Sequence, residues 1–162
     1  MQRNQRHPHR NSYPYQKGRI TIPVELVKLE DNSFHLTVKA NINGTIGDMI
    51  IDTGASVTVA DQHLFPDTGE DDTEINLQSG SVSGKIDDVR LIHIRHFSVG
   101  NYSIKNFRIA GINLDYVNDM YKKHLQRKII GLLGCDFLAY YHACINYKER
   151  TLTISSKKHE IR

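Results

Sequence analysis

Two stretches of the sequence carry residues suited to chemistry. The first is Met49-Ile50-Ile51-Asp52-Thr53-Gly54-Ala55-Ser56-Val57-Thr58-Val59, where one carboxylate stands between two apolar runs. An unpaired buried charge is costly, so a carboxylate kept at such a position points to a use for it. An aspartate in low dielectric with polar neighbours suits general acid–base work, because its surroundings tune its pKa. Thr53 offers a hydroxyl beside it, and Gly54 lets another backbone come close. The second stretch is Ile129-Ile130-Gly131-Leu132-Leu133-Gly134-Cys135-Asp136-Phe137-Leu138, an apolar strand interrupted by glycines and followed by a short helix through Tyr141. Glycine within a strand often marks close backbone approach. Asp136, at the start of that helix, reads as a structural carboxylate satisfying backbone donors.

Another Asp-Thr-Gly, at Asp67-Thr68-Gly69, serves as an internal control. It follows Pro66, precedes Glu70-Asp71-Asp72 and has no apolar strand on either side. Average residue usage yields one such tripeptide by chance in about 3 per cent of chains this long. The tripeptide alone therefore says little, and the strand context of Asp52 carries the information; Asp67 reads as a turn aspartate. Other chemistries find less support. His93 and His96, three apart on a predicted strand, face opposite sides and do not readily chelate one metal. None of the nine histidines forms a metal or triad pattern, and no metal or cofactor is expected. Cys135 and Cys144 give no disulfide framework and read as reduced, mostly buried thiols.

The elements that must position these residues are mainly strands. Residues 19–29 alternate apolar and polar positions, as a half-buried strand does. Residues 34–42 form a second strand, Asn43-Gly44 signals a hairpin, and residues 45–51 return as the third strand, which delivers Asp52. Residues 57–60 read as its continuation, followed by a short helical turn over 61–65. Strands at 75–78 and 85–97 flank Ser79-Gly80-Ser81-Val82-Ser83-Gly84, a tip suited to a mobile hairpin. Residues 102–110 give another strand. Leu114, Val117, Tyr121 and Leu125 then share a helical face, with Asp115 early and Lys122, Lys123, Arg127 and Lys128 late, an order that suits the helix dipole. Residues 143–147 and 151–154 close the pattern as a hairpin. Short strands with frequent turns predict an all-β fold.

A chain of 162 residues is expected to form one domain with a substantial core. No apolar run is long enough to cross a bilayer, and residues 1–19 hold no signal-peptide pattern, so a cytoplasmic location is expected. The net charge of +3 is concentrated: Arg3, Arg6, Arg10, Lys17 and Arg19 precede any acidic residue, and beyond them 16 basic residues face 18 acidic ones. Residues 1–18 are therefore expected to be a disordered basic leader, 19–156 the folded domain and 157–162 a polar tail. Five dispersed charges make a weak patch, and nucleic acid is not an expected partner.

Together the two stretches resemble the retropepsin-like aspartic proteases, which carry a single Asp-Thr-Gly per chain. Asp52 to Ser56 match the family's Asp-Thr-Gly-Ala-Ser, and Leu132-Leu133-Gly134 match its later hydrophobic-hydrophobic-Gly element. Cys135-Asp136-Phe137-Leu138 looks like the helix opening of cellular and bacterial members; an alternative register uses Ile129-Ile130-Gly131. The resemblance spans roughly residues 20–154, in the family's order of aspartyl turn, flap, glycine element and closing hairpin. It implies a closed retropepsin-like β-barrel of short antiparallel strands, with a flap hairpin and one or two short helices. Gly80, Ser81, Val82, Ser83 and Gly84 fall at the flap, although this tip is neither glycine-rich as in retroviral enzymes nor marked by the tyrosine of pepsin-like ones.

By the same resemblance Asp52 is the catalytic carboxylate, supported by Thr53, Gly54, Ala55, Ser56, Leu132, Leu133 and Gly134. Thr53 would bond across a dimer axis and Gly54 would let the two turns approach. With one such aspartate per chain, the second must come from another copy, so the resemblance implies a homodimeric aspartic endopeptidase acting on peptides or proteins. Pepsin-like enzymes usually place serine where Ala55 stands; its absence removes one stabiliser of the ionised carboxylate and implies a less acidic optimum. Two alternatives stand beside the enzyme: a protease-fold module that dimerises and binds without cutting, and a leader that binds nucleic acid on a dimerising domain.

Overall fold

The computed structural model describes residues 18–65 and 90–155. Most of the expected leader, the polar tail, Asp67-Thr68-Gly69 and the flap residues Gly80 to Gly84 lie outside the described residues. The first expected strand divides in two. β1 (Arg19–Pro23) and β2 (Glu25–Glu30) belong to different sheets. Pro23 has no N–H to continue a ladder, and the next amide, Val24 N–H, donates to the Arg150 carbonyl at 3.0 Å.

β3 (Ser33–Ile42) and β4 (Thr45–Ile51) form the expected hairpin. Asn43 and Gly44 both take positive φ, 48° and 98°, as a tight two-residue turn requires. β5 (Val59–Asp61) leads into one 3-10 turn. β6 (Arg90–Val99) and β7 (Tyr102–Ile112) form a long antiparallel hairpin. Helix α1 (Asp115–Leu125), β8 (Ile129–Leu133), helix α2 (Cys135–Tyr140), β9 (Cys144–Asn146) and β10 (Thr151–Ser155) complete the described chain.

A three-stranded sheet has the order β1-β10-β9, and a seven-stranded sheet the order β2-β3-β4-β8-β5-β7-β6. β3 also pairs with β6, Ala40 opposite Val99 and Ile42 opposite Phe97, so the large sheet returns on itself as a ring. Among the described residues the fold is all-β with two short helices, in keeping with the expected class. Two pairings, β4 with β8 and β5 with β7, are parallel rather than antiparallel.

One further departure matters for the site. Residues 57–60 do not extend β4. β8 lies between β4 and β5, with Ile50 opposite Leu132 on one side and Val59 opposite Leu132 on the other. A strand enclosed in this way reads as continuous apolar sequence, which explains Ile129-Ile130-Gly131-Leu132-Leu133. The Cβ that an alanine at 131 would carry meets the Val59 carbonyl oxygen, so only glycine admits β5 at this distance.

The main core joins the ring to the small sheet through residues such as Ile22, Met49, Phe97, Leu133, Phe137 and Leu152. A second core lies under α1, where Tyr121 is fully buried with Val27, Leu29, Ile50 and Ile129. The helical face expected from the sequence is the one used. Asn113 Oδ1 accepts from Asp115 N–H at 2.7 Å to start α1, and Gln126 ends it in the left-handed region at φ 53°. The Asn118 side chain holds the helix to β8, bonding both the N–H and the carbonyl of Ile129. Arg127 makes a two-pronged contact with Glu25, at 2.8 and 2.9 Å; this hydrogen bond holds the Glu25 carboxyl below its usual range. No described helix is long and apolar enough to cross a membrane.

Candidate active site

β4 carries Asp52 to the end of the sheet. Met49, Ile50 and Ile51 are buried just before it, and the Asp52 N–H donates to the Leu133 carbonyl of β8 at 3.0 Å. The strand then breaks into a turn over residues 52–58. Asp52 Oδ1 accepts the Gly54 N–H at 2.9 Å, and its backbone carbonyl accepts the Ala55 N–H at 3.3 Å. The carboxylate is half-buried, while Thr53, Gly54 and Ser56 are exposed at the surface of the single chain.

The start of α2 clamps this turn. Cys135 N–H donates to the Ala55 carbonyl at 2.8 Å and Asp136 N–H to the Ser56 carbonyl at 3.2 Å. The Cys135 thiol donates to the Thr53 carbonyl at 3.0 Å. Gly134 is where the two segments come closest: a Cβ there would stand 2.5 Å from both the carbonyl carbon and the oxygen of Val57. Of the two registers for the glycine element, Leu132-Leu133-Gly134 therefore lies against the aspartyl turn, and Gly131 lies one step back against Val59.

Thr58 closes the turn. Its side chain is fully buried at 0% exposure. Thr58 Oγ1 accepts the Gly134 N–H at 3.1 Å and donates to Asp136 Oδ1 at 2.6 Å. The same Asp136 oxygen accepts the Phe137 N–H at 2.7 Å, so Asp136 does serve a backbone donor at the helix start. Phe137 is fully buried and fixes α2, packing on Tyr141 with ring centroids 4.7 Å apart and edge-on to Phe97 at 6.2 Å.

The structure thus brings Asp52, Thr53, Gly54, Ala55, Ser56, Leu133 and Gly134 into one hydrogen-bonded unit, with Leu132 in the strand beneath. Gly80, Ser81, Val82, Ser83 and Gly84 lie outside the described residues. Sequence reasoning passed over Thr58 and the Cys135 thiol. A polar residue between Val57 and Val59 was the available signal for Thr58. The thiols also differ from expectation: Cys144 is exposed and Cys135 only half-buried, because short β9 lies at the edge of the small sheet and Cys135 opens a helix at the surface.

Chemically the unit presents one carboxylate at an exposed turn, oriented by a single backbone donor, the Gly54 N–H. Among the described residues no group of three histidine, cysteine or acidic side chains lies close enough to hold a metal ion. His93 and His96 stand on β6 opposite Arg108 and Lys105, away from any such grouping.

The comparisons with known proteins agree with this geometry. A family model described as aspartyl protease matches residues 38–137. The fold is similar to that of a retropepsin-like aspartic protease from Rickettsia conorii, at 20% identity and a TM-score of 0.50, covering 85% of this chain and 89% of that one. It is also similar to the retroviral protease-like domain of Ddi1 from Leishmania major, at 18% identity and a TM-score of 0.50, covering 76% and 90%. No curated protein matches the sequence. With the matched segment running from β3 through the aspartyl turn to Phe137, more than half of its length, this retropepsin-like chain belongs to the aspartyl protease family.

Proposed function

We propose that the protein is an aspartic endopeptidase that works as a homodimer, with Asp52 of each copy supplying one carboxylate of a shared site. The observation that carries this reading is the Asp52 turn itself. Its carboxylate is oriented by the Gly54 N–H at 2.9 Å, while Thr53 and Gly54 lie exposed where a second copy could meet them. Two carboxylates that close cannot both ionise, so the pair shares a proton. One then acts as general base toward a water that attacks the peptide carbonyl. Its partner donates a hydrogen bond to the carbonyl oxygen as negative charge develops there. No covalent intermediate is needed, and Cys135, whose thiol points to the Thr53 carbonyl, takes no part as nucleophile.

In this reading residues 19–156 are the protease domain, and Gly80 to Gly84 contribute to binding peptide or protein substrate. The free Cys135 and Cys144 suit a reducing, cytoplasmic setting. The test is cleavage of a diverse peptide library across pH 3–8 by wild type and Asp52→Asn, with the oligomeric state recorded in each sample. Cleavage lost in a variant that remains dimeric supports the enzyme. A folded dimer that cuts nothing turns the reading to a binding module, and a stable monomer removes the second carboxylate and overturns the proposal.

A further inference from the structure

The geometry points to Thr58 and Asp136 as a positioning pair that sets the orientation of the Asp52 turn for catalysis, an inference that rests on the endopeptidase reading. Neither residue touches the reacting atoms. Their action runs through the backbone at both feet of the turn. At the first foot, Asp52 N–H is tied to Leu133 at 3.0 Å. At the second, the Thr58 hydroxyl links the Gly134 N–H to Asp136 Oδ1, at 3.1 and 2.6 Å.

The direction of this relay is unambiguous. The Gly134 amide can only donate, so the hydroxyl must accept there, and its one proton goes to the carboxylate. A hydroxyl donating to a carboxylate is among the stronger hydrogen bonds. Asp136 is itself immobile, because the same oxygen is held by Phe137 N–H at 2.7 Å and Phe137 is locked among Phe97 and Tyr141. The relay therefore transmits the fixed position of α2 to the second foot of the turn. Valine would fill the same fully buried space, and what threonine adds is a defined register between turn and helix. Without the hydroxyl the Gly134 N–H loses its acceptor, and residues 55 and 56 keep only their own backbone bonds to Cys135 and Asp136. Asp52 and Gly54 then move with the loosened turn, and an error of about 1 Å at a reacting group costs roughly 100-fold in rate.

The experiment compares Thr58→Val, Asp136→Ala and the double variant with the conservative Thr58→Ser and Asp136→Asn. Ile94→Ala is the stability control, a buried residue on β6, which pairs with neither β4, β5 nor β8. Two readouts are taken: kcat and KM on a peptide that wild type cuts and Asp52→Asn does not, and the amide exchange rate of Gly54 by NMR. Thr58→Val and Asp136→Ala are expected to lose about 10- to 100-fold in kcat with KM within about twofold, and the double variant no more than the worse single. Gly54 exchange rises about tenfold in the same variants. Thr58→Ser and Asp136→Asn, which keep the hydroxyl and the accepting oxygen, stay near wild type, and Ile94→Ala loses melting temperature without losing kcat. A Thr58→Val protein with wild-type kcat or unchanged Gly54 exchange overturns the pair, as does an additive double variant. If wild type cuts no peptide, the endopeptidase reading fails, and Gly54 exchange alone decides whether the pair holds the turn.

Discussion

Replacing Gly134 by alanine tests how far the site depends on the contact between the aspartyl turn and α2. An added Cβ would lie 2.5 Å from the carbonyl carbon and oxygen of Val57 and 2.8 Å from the Thr58 nitrogen, all backbone atoms that no rotamer change can move aside. Ordinary contact begins near 3.4 Å, so the turn and the start of α2 must separate by roughly 0.9 Å. Overpacking of this kind costs about 1–3 kcal/mol. The same separation stretches the Gly134 N–H bond to Thr58, now 3.1 Å, which adds about 1 kcal/mol. The sum of about 2–4 kcal/mol corresponds to a fall in melting temperature of roughly 5–15 °C for a chain of this size. A shift of about 1 Å next to Asp52 also lowers kcat by about 100-fold. Differential scanning fluorimetry and peptide cleavage read the two effects. Gly47→Ala is the comparison, because its Cβ would meet only the side chain of Ile130, which can repack; its loss of stability should be smaller and its kcat retained. A Gly134→Ala protein that melts and cuts like wild type would refute the reasoning.

Two further outcomes follow from named groups. Ala55→Ser adds a hydroxyl beside the Asp52 turn and favours the ionised carboxylate, so the acidic limb of the pH–rate profile should move to lower pH; an unchanged limb counts against the role given to Ala55. Burial, then Asp48, pushes the Tyr121 phenol up to about 12, and burial, then Tyr102, does the same for Tyr141. Both folded values lie above the unfolded one of about 10, so the stability they contribute is complete below that pH and is lost as pH rises toward 12, by about 2–3 kcal/mol for each. Urea midpoints measured from pH 8 to 11.5 should fall above pH 10, and Tyr121→Phe should lessen the slope; an identical slope in that variant removes Tyr121 from the account.

Local features were legible because local chemistry determines them. Asn43-Gly44 demanded positive φ and took it. The spacing of Leu114, Val117, Tyr121 and Leu125 marked the face of α1 that packs on the second core. The apolar run ending at Asp52, and the later one ending at Gly134, were visible as strands leading into turns, and Asp136 could be read as a helix-start acceptor from its position alone.

What the sequence by itself determined is most of the described strands, the α1 face and the two motifs, since each follows from periodicity, turn residues and helix-end chemistry within a dozen neighbours. What only the tertiary structure decided is who pairs with whom. Alternating apolar residues suit many partners equally, so nothing local told that β8 inserts between β4 and β5 or that β3 reaches β6 to close the ring. The same holds for the Thr58 hydroxyl. Its partner, Asp136, stands 78 residues away, and the bond exists because two strands and a helix converge on the turn that carries Asp52.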